Sequence, residues 1–369
     1  MENNMSKSSV HISDIDTPFL WVDLDQLERN IRTLADFYSS AGVRWRPHVK
    51  GIKVPAIIKK AIDNGAIGAT CATVDEAEIM AHSGIRDILI ANQIIGRKKI
   101  VRVLHILNHA GVTVAVDSDD GIGELGTMVR EMDKTIGVVV ELDTGMHRTG
   151  TRPGKPAVEL SKIVHRTSGL RYRGLMAWEG HTRAIADTTL REREIIQSAK
   201  LLTDTADRCR DAGLPVEIVS GGGSGTCQVT AVQPGITEIQ TGGAIYCDVK
   251  YRKLGVLTKP SLFLTSTVTS RPAPERIICD AGFKTLPGWA TEPEPVGIHG
   301  VKKISMYAAH CSITREVPDT TTRVGDRIDF IVGYCDATIF LHERLYGIRN
   351  DTIEVEWVIP KTAEKGSSE

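Results

Sequence analysis

The first two thirds of the chain alternate between short apolar runs and longer segments in which apolar residues recur at helical spacing. The apolar runs predict eight strands, most of them followed by a helical segment. The predicted strands lie at 43–50, 66–72, 87–91, 113–117, 136–142, 170–178, 215–220 and 238–246. Eight such units indicate an α/β fold built on a (β/α)8 barrel of the TIM type.

A doubly wound open sheet has the same alternation and is the structural alternative. Two features favour the barrel. The polar residues with the most chemical interest all follow the carboxyl ends of predicted strands, where barrel enzymes carry their sites. In addition, no dinucleotide-binding glycine motif follows the first strand.

A second pattern begins near residue 262, where strands recur without long helices between them. These strands are predicted at 261–270, 276–280, 327–332, 344–348 and 353–358. The pattern predicts a smaller C-terminal β domain over 261–362, behind a barrel over 20–260. An apolar run at 17–22 precedes the barrel, and we expect a strand within 14–22 to join the β domain.

Charge and cysteine content narrow the function classes. Among 369 residues, 45 Lys and Arg balance 46 Asp and Glu, so no net field favours nucleic acid or a membrane surface. The seven cysteines show no CxxC spacing, which is typical of a reducing cytoplasm rather than of a disulfide framework or a zinc knuckle. We expect neither a transmembrane span nor a signal peptide. A small-molecule ligand is the expected partner.

A basic segment, residues 44–50, ends the first predicted barrel strand. We expect Lys50 to lie at the mouth of this strand and to point into a site. A lysine there can form a Schiff base with a carbonyl cofactor if neighbours such as Arg46, His48 and Lys53 keep part of it unprotonated. A solvated basic turn is the alternative.

A Gly-rich turn, residues 220–226, follows the seventh predicted strand. Successive glycines let backbone N–H groups converge on an anion, and the helix N-terminus behind them adds its dipole. Ser224 and Thr226 can add hydroxyl donors. Barrel enzymes often hold a phosphate at this place. A flexible turn without a ligand is the alternative.

Two further loops carry candidate side chains. After the fifth strand, Arg148 can offer a fixed cation to an oxyanion of a ligand, or it can form a surface ion pair with Asp143. After the sixth strand, Trp178 can flank a planar ring and His181 can act as a general base, whereas a core tryptophan and a hydrogen-bonded bystander histidine are the alternatives. A lysine, an anion-binding turn, an arginine and an aromatic wall at one barrel mouth together predict a pyridoxal phosphate site.

At these residues the chain resembles the family of D-threonine aldolase, D-serine dehydratase and 3-hydroxy-D-aspartate aldolase. These are fold-type III pyridoxal phosphate enzymes, similar in architecture to alanine racemase. The resemblance extends over nearly the whole chain. The motifs that carry it are Thr17-Pro18-Phe19, Asp23-Leu24-Asp25, Arg46-Pro47-His48-Val49-Lys50, Ser220-Gly221-Gly222-Gly223-Ser224-Gly225 and Leu341-His342-Glu343-Arg344-Leu345-Tyr346.

The resemblance implies roles for individual residues. Lys50 would hold the cofactor as an internal aldimine, and Arg148 would face the phenolic oxygen. Trp178 falls where relatives often have a tyrosine beside the ring, and Tyr246 matches an aromatic position after the eighth strand. The phosphate would be bound by the Gly-rich turn, at Ser220, Gly222, Gly223 and Ser224. A homodimer is expected, in which the β domain of one chain covers the site of the other.

One departure from the family pattern concerns a metal. Relatives carry a divalent cation on a histidine and on a Cys or Asp two residues later. Here Asp336 matches the second ligand, but Tyr334 stands in place of the histidine, and a neutral phenol is a poor ligand for Mg²⁺, Mn²⁺ or Zn²⁺. His310 is similar to a histidine on a neighbouring segment. Either Asp336 binds a metal weakly with His310 or Tyr334, or the Tyr334 hydroxyl does the acid–base work itself.

The resemblance implies a pyridoxal phosphate lyase that cleaves D-3-hydroxy amino acids to glycine and an aldehyde or oxoacid. Three alternatives use the same cofactor: a D-serine-type dehydratase, a metal-independent amino-acid racemase and a non-catalytic pyridoxal phosphate carrier. A sugar-phosphate isomerase on a plain barrel would explain the phosphate turn without the lysine. The added β domain argues for an enzyme rather than a carrier.

Overall fold

The computed structural model describes residues 11–361. The described residues divide into two compact units, one at 31–242 and one that combines the residues up to Asn30 with 243–361. The predicted domains, 20–260 and 261–362, stay a prediction, and residue 362 lies outside the described residues. Among the residues that are described, no helix combines the length and the apolar character needed to cross a bilayer.

The chain enters through strand β1 (Phe19–Asp23) and helix α1 (Leu24–Ser40). The unit at 31–242 then forms a ring of eight parallel strands, in the order β2-β9-β8-β7-β6-β5-β4-β3. These strands are β2 (Arg44–Trp45), β3 (Ala69–Cys71), β4 (Asp87–Gln93), β5 (Gly111–Val116), β6 (Ile136–Leu142), β7 (Leu170–Ala177), β8 (Ile218–Gly221) and β9 (Glu238–Ile239). Two backbone hydrogen bonds close the ring between its edges, from Ile67 N–H to Trp45 O and from Thr70 N–H to Pro47 O. The predicted barrel is confirmed.

Helices occupy the segments between these strands, as the helical spacing of apolar residues predicted. They are α2 (Pro55–Asp63), α3 (Val74–His82), α4 (Arg97–Ile106), α5 (Asp119–Glu131), α6 (Lys155–Arg166), α7 (Thr188–Asp211) and the short α8 (Cys227–Thr230). Side-chain oxygens of Thr73, Ser118 and Asp187 accept backbone N–H groups in the first turns of α3, α5 and α7. These caps satisfy donors that a helix start leaves without intrahelical partners.

The eighth barrel strand is shorter than its predicted range, 238–246. The strand ends at Ile239, and Gly243–Ile245 form a 3-10 turn. Three residues beyond the strand end, the Gly242 α-carbon lies directly on the backbone of His48, where an added Cβ would meet the His48 carbonyl oxygen at 2.0 Å. A side chain that continued the strand pattern has no room at this approach.

Arg46 lies in the barrel interior and is almost fully buried. Its guanidinium forms ion pairs with Asp87 (2.8 Å) and Glu238 (3.2 Å). Glu238 also accepts a hydrogen bond from the Ser220 hydroxyl (3.0 Å), which in turn accepts one from Gln240 (2.9 Å). Arg46 therefore neutralises the buried Glu238 carboxylate and pairs with the partly exposed Asp87.

The second unit contains a mixed sheet of nine strands. Besides β1 it comprises β10 (Leu262–Ala273), β11 (Arg276–Cys279), β12 (Glu294–Pro295), β13 (Val301–Met306), β14 (Cys311–Arg315), β15 (Arg327–Ile331), β16 (Arg344–Arg349) and β17 (Thr352–Val358). Strand β1 pairs antiparallel with β10 and parallel with β16. The sequence did not predict β12, β13 and β14. The reason is visible in β13, where two adjacent lysines and a register shift break the alternation of apolar and polar residues.

Candidate active site

Lys50 follows the first barrel strand in a tight turn. Strand β2 ends at Trp45, and Lys50 lies in the 3-10 turn Val49–Gly51. The His48 Nδ1 atom accepts a hydrogen bond from the Lys50 backbone N–H at 3.3 Å and so caps this turn. Just beyond, the Lys53 ammonium forms an ion pair with the buried Glu76 carboxylate at 2.6 Å. Both ends of the turn that carries Lys50 are therefore held in place.

The His48 imidazole is neutral in the folded protein. Burial lowers its pKa well below the usual range, and the positive charges of Lys50, Lys53 and Arg148 act in the same direction. A neutral ring whose Nδ1 accepts a hydrogen bond carries its proton on Nε2. The electrostatics thus preserve the hydrogen-bond acceptor that caps the turn of Lys50.

This neutral histidine predicts a pH dependence of stability. In the unfolded chain His48 binds a proton below about pH 6.5, whereas the folded protein does not, so stability falls as the pH drops below about 6.5 and not above it. Relative to His48→Gln, which does not titrate, we expect the wild-type free energy of unfolding to fall by up to about 1.4 kcal/mol more per pH unit. Urea unfolding at pH 7.5, 6.5 and 5.5 measures this difference, and parallel curves for the two proteins would contradict it.

Three cations surround the ring of Trp178. The Lys50 Nζ atom and the Arg148 Cζ atom each lie 5.1 Å from the ring centroid, and the Arg183 Cζ atom lies 4.8 Å from it. These side chains come from the segments after β2, β6 and β7. The barrel therefore brings Lys50, Arg148 and Trp178 together at the carboxyl ends of its strands, as the sequence pattern predicted.

Two glycines make room for the Trp178 ring. An added Cβ on Gly180 would meet the ring at 2.6 Å, and one on Gly223 would meet the indole nitrogen at 2.8 Å. Real Cβ atoms do not approach other atoms this closely, so a side chain at either position would displace the indole. The contact with Gly223 also connects the ring to the Gly-rich turn.

The Gly-rich turn begins where β8 ends. Gly222 has φ +70°, a conformation that glycine adopts without strain. Its N–H donates to the Glu179 carboxylate at 3.4 Å, and the other Glu179 oxygen accepts the Thr230 hydroxyl at 2.5 Å. The Gly223 N–H donates to the Thr226 hydroxyl at 3.0 Å. The turn is therefore held by a hydrogen bond within itself and by hydrogen bonds to Glu179 in the segment that follows β7.

Glu179 is the residue that sequence reasoning missed. It is fully buried and ties the Gly-rich turn to the segment that carries Trp178. Its only sequence signal is a carboxylate directly after the tryptophan, and nothing in the sequence pairs it with residues 43 to 51 positions away. Such long-range contacts arise only when parallel strands align their ends.

The other predicted barrel residues have different surroundings. The Ser224 side chain is buried in the turn, whereas the Ser220 hydroxyl is engaged with Glu238 and Gln240 inside the barrel. The His181 ring packs on Gly145, where an added Cβ would meet Nε2 at 2.8 Å. Its Nδ1 atom is buried and has no hydrogen-bond partner among residues 11–361. Their predicted roles stay predictions.

The remaining candidates belong to the second unit. The Tyr334 hydroxyl donates to Asp336 at 2.8 Å, and the Lys250 ammonium lies 4.1 Å from the Tyr334 ring centroid. His310 is exposed in the turn between β13 and β14, and Tyr246 is fully buried. Within the described part of the chain, no group of three His, Cys, Asp or Glu side chains is arranged to hold a metal ion.

The barrel residues fit pyridoxal phosphate. The cofactor needs an amine for its carbonyl carbon, positive charge for its phosphate and phenolic oxygen, and a flat surface for its ring. Lys50, Arg148 and Trp178 supply these features within one cluster, and the glycine turn touches the same indole. Fold and site together define a pyridoxal phosphate enzyme of the alanine racemase-like fold.

Comparison with known proteins agrees with this class. A model of the alanine racemase N-terminal domain matches residues 22–249, and a serine dehydratase domain matches 261–348. A 3-hydroxy-D-aspartate aldolase of Paracoccus denitrificans is 30% identical over 360 residues, with 94% of this chain and 92% of the relative covered. A D-threonine aldolase of Arthrobacter sp. is 28% identical over 352 residues, with 94% and 93% covered.

A solved structure extends the likeness to the fold of the whole chain. D-Threonine aldolase from Filomicrobium marinum superposes with a TM-score of 0.92 at 31% identity, covering 96% of this chain and 98% of the other. The chain belongs to the family of pyridoxal phosphate enzymes that contains these two aldolases. The resemblance read from the sequence motifs is thereby confirmed.

Proposed function

We propose that this protein is a lyase that cleaves D-3-hydroxy amino acids between Cα and Cβ, giving glycine and an aldehyde or oxoacid. The observation that carries the proposal is the convergence of Lys50 and Arg148 on Trp178, beside the glycine turn. The aldolase names of relatives that match over nearly their whole length support the reaction type.

Each barrel residue has a task in this reaction. Bound at Lys50, pyridoxal phosphate would supply the electron sink for the pair left on Cα when the Cα–Cβ bond breaks. The Gly-rich turn would hold its phosphate at Gly222, Gly223 and Ser224. The Gly222 and Gly223 N–H groups would then exchange Glu179 and Thr226 for phosphate oxygens, Ser224 would add a hydroxyl donor, and Ser220 would support the strand end. Arg148 would face the phenolic oxygen and Trp178 would lie beside the ring, and Tyr246 is proposed as a further aromatic residue for the cofactor. His181 takes the proton from the β-hydroxyl group as the carbonyl forms and the Cα–Cβ bond breaks, and a proton returned to Cα completes glycine.

Product analysis tests this proposal. Purified holoenzyme is incubated separately with D-threonine, 3-hydroxy-D-aspartate and D-serine, and the products are identified by mass spectrometry. Glycine with acetaldehyde or glyoxylate supports the lyase. Ammonia with an oxoacid would instead identify a dehydratase, the L-enantiomer a racemase, and no product at all a carrier; each of these would overturn the proposal.

A resident divalent cation does not fit the donor set of the second unit. The Tyr334 hydroxyl donates a hydrogen bond to Asp336, the second predicted ligand, and so keeps its proton. A protonated phenol is a poor metal ligand. No cluster of three ligands occurs among the described side chains, and His310 is exposed in a hairpin turn. We therefore assign no step to a metal, and we propose that the Tyr334 hydroxyl supplies acid–base chemistry in its place, in addition to His181.

This assignment predicts that the enzyme tolerates chelators. Dialysis against EDTA should leave turnover largely intact, and elemental analysis should find well below one equivalent of metal per chain. Tyr334→His, which supplies an imidazole two residues before Asp336, should raise the bound metal content, because imidazole is a far better ligand than a phenol. Loss of wild-type activity in EDTA that Mn²⁺ restores would contradict the prediction.

We also propose that the protein is a homodimer of the cytoplasm. Large apolar side chains of the second unit are exposed, Trp289 at 77% and Tyr307 at 58%, and such surfaces commonly lie in interfaces. All seven cysteines are unpaired and buried, which suits a reducing compartment. Analytical ultracentrifugation at micromolar concentration tests the dimer, and a single monomeric species would contradict it.

A further inference from the structure

Trp178 and the three cations around its ring, Lys50, Arg148 and Arg183, form a group that we call the Trp178 cluster. Of these cations, Arg183 has no role in the proposed reaction so far. Arg183 lies in the 3-10 turn Gly180–Ala184, after β7, with its guanidinium 4.8 Å from the Trp178 ring centroid. Among the described residues neither Arg183 nor Arg148 forms an ion pair with a carboxylate. An arginine that is held beside a tryptophan at the mouth of a barrel and lacks a carboxylate partner carries positive charge that a ligand can neutralise.

The Arg183 guanidinium is held through one of its three nitrogens. Its Nε atom donates to the Gly180 carbonyl oxygen at 3.2 Å. The turn that carries it is held by the Thr182 hydroxyl, which donates to the Glu179 carbonyl oxygen at 2.8 Å. This arrangement engages Nε and leaves both terminal nitrogens of the guanidinium without a partner among residues 11–361. Two terminal N–H groups in a fixed plane match the two oxygens of a carboxylate.

A count of charges indicates which anion this is. The cofactor would bring a phosphate, which the Gly-rich turn would bind, and a phenolic oxygen, which Arg148 would face. Lys50 is used for the carbonyl carbon. Arg183 is the cation of this cluster that remains, and an amino-acid substrate always brings a carboxylate. We propose that Arg183 binds a carboxylate of the amino-acid substrate; this inference rests on the proposed function and deepens it.

The test compares Arg183→Gln and Arg183→Lys with Arg193→Gln. Arg193 is exposed on α7, so its replacement makes the same change in charge away from the site. Three quantities are measured on each holoenzyme: the Kd for pyridoxal phosphate, the Kd for D-aspartate and D-alanine from the change in cofactor absorbance, and KM for D-threonine and 3-hydroxy-D-aspartate. D-Aspartate and D-alanine lack the β-hydroxyl group, so they report binding without cleavage.

We expect Arg183→Gln to weaken amino-acid binding about 10- to 100-fold, the effect of losing a hydrogen bond to a charged group. Arg183→Lys keeps the positive charge but loses the paired terminal N–H donors, so its affinity for the amino acids should be intermediate. The affinity of Arg193→Gln should equal that of the wild type. Cofactor affinity should not change in any variant. Unchanged cofactor absorbance also shows that the variants fold.

The two amino acids locate the carboxylate. Weaker binding of D-alanine and D-aspartate alike identifies the α-carboxylate, whereas weaker binding of D-aspartate alone identifies a side-chain carboxylate and a preference for 3-hydroxy-D-aspartate. Unchanged binding of both, or a loss confined to pyridoxal phosphate, overturns the proposal. If the wild type cleaves no hydroxy amino acid while Arg183→Gln still weakens D-aspartate binding, the proposed function fails and the carboxylate site stands.

Discussion

Lys50→Ala should abolish turnover, with an expected loss of about 10⁴-fold or more, the range seen when a covalent catalytic group is removed. The physical reason is that no other amine of the described residues lies in the Trp178 cluster, where Lys50 approaches the ring to 5.1 Å. The variant should also lack the visible absorbance of lysine-bound cofactor. Borohydride reduction followed by peptide mass spectrometry should modify the Lys50 peptide of the wild type only.

Lys59→Ala is the matched control. It removes the same charge from an exposed position on α2, close in sequence and without a contact to Trp178. We expect its turnover, absorbance and borohydride labelling to equal those of the wild type. Retained turnover in Lys50→Ala, or labelling at a different lysine, would remove Lys50 from the proposed chemistry.

Gly242→Ala should destabilise the barrel and detach its cofactor. The added Cβ would lie 2.0 Å from the His48 carbonyl oxygen and 2.9 Å from the His48 backbone nitrogen, so the backbone that leads to Lys50 has to move. Overpacking of this kind lowers the free energy of unfolding by about 1 to 3 kcal/mol, and by more where the added atoms clash with backbone. We expect urea unfolding to show at least that loss, and titration to show weaker binding of pyridoxal phosphate.

Gly123→Ala separates this local effect from glycine substitution in general. Gly123 is exposed in the interior of α5, and an added Cβ meets nothing within 4 Å. Since alanine has the higher helix propensity, the variant should gain about 0.5 to 1 kcal/mol of stability with unchanged cofactor affinity. Equal behaviour of the two variants would show that the approach of Gly242 to His48 has no special role.

Sequence reasoning succeeded for the barrel because each β/α unit carries its own local pattern. Apolar runs and helical spacing are short-range signals, and eight repeats of them leave few alternatives. The pattern failed in the second unit for the same reason. Strands β12 to β14 are short or interrupted by adjacent lysines, and they are strands only because neighbouring strands supply their hydrogen bonds.

The residues of the site also differ in how well the sequence predicted their positions. Lys50, Arg148, Trp178 and the glycine turn were predictable because each follows a strand, and barrel geometry places such residues at one end. Arg46 was expected to influence Lys50, but the structure engages it with Asp87 and Glu238 inside the barrel. The direction of a side chain near a strand end depends on one residue of register, which a sequence pattern does not resolve.

What the sequence determined by itself is the set of repeating units, the residue types at their carboxyl ends and the family to which the motifs belong. Only the tertiary structure decided which of these residues meet: that Glu179 anchors Gly222 and that Arg183 joins Lys50 and Arg148 around Trp178. The reason is that local patterns depend on neighbours along the chain, whereas a site depends on distances between strands that are far apart in sequence.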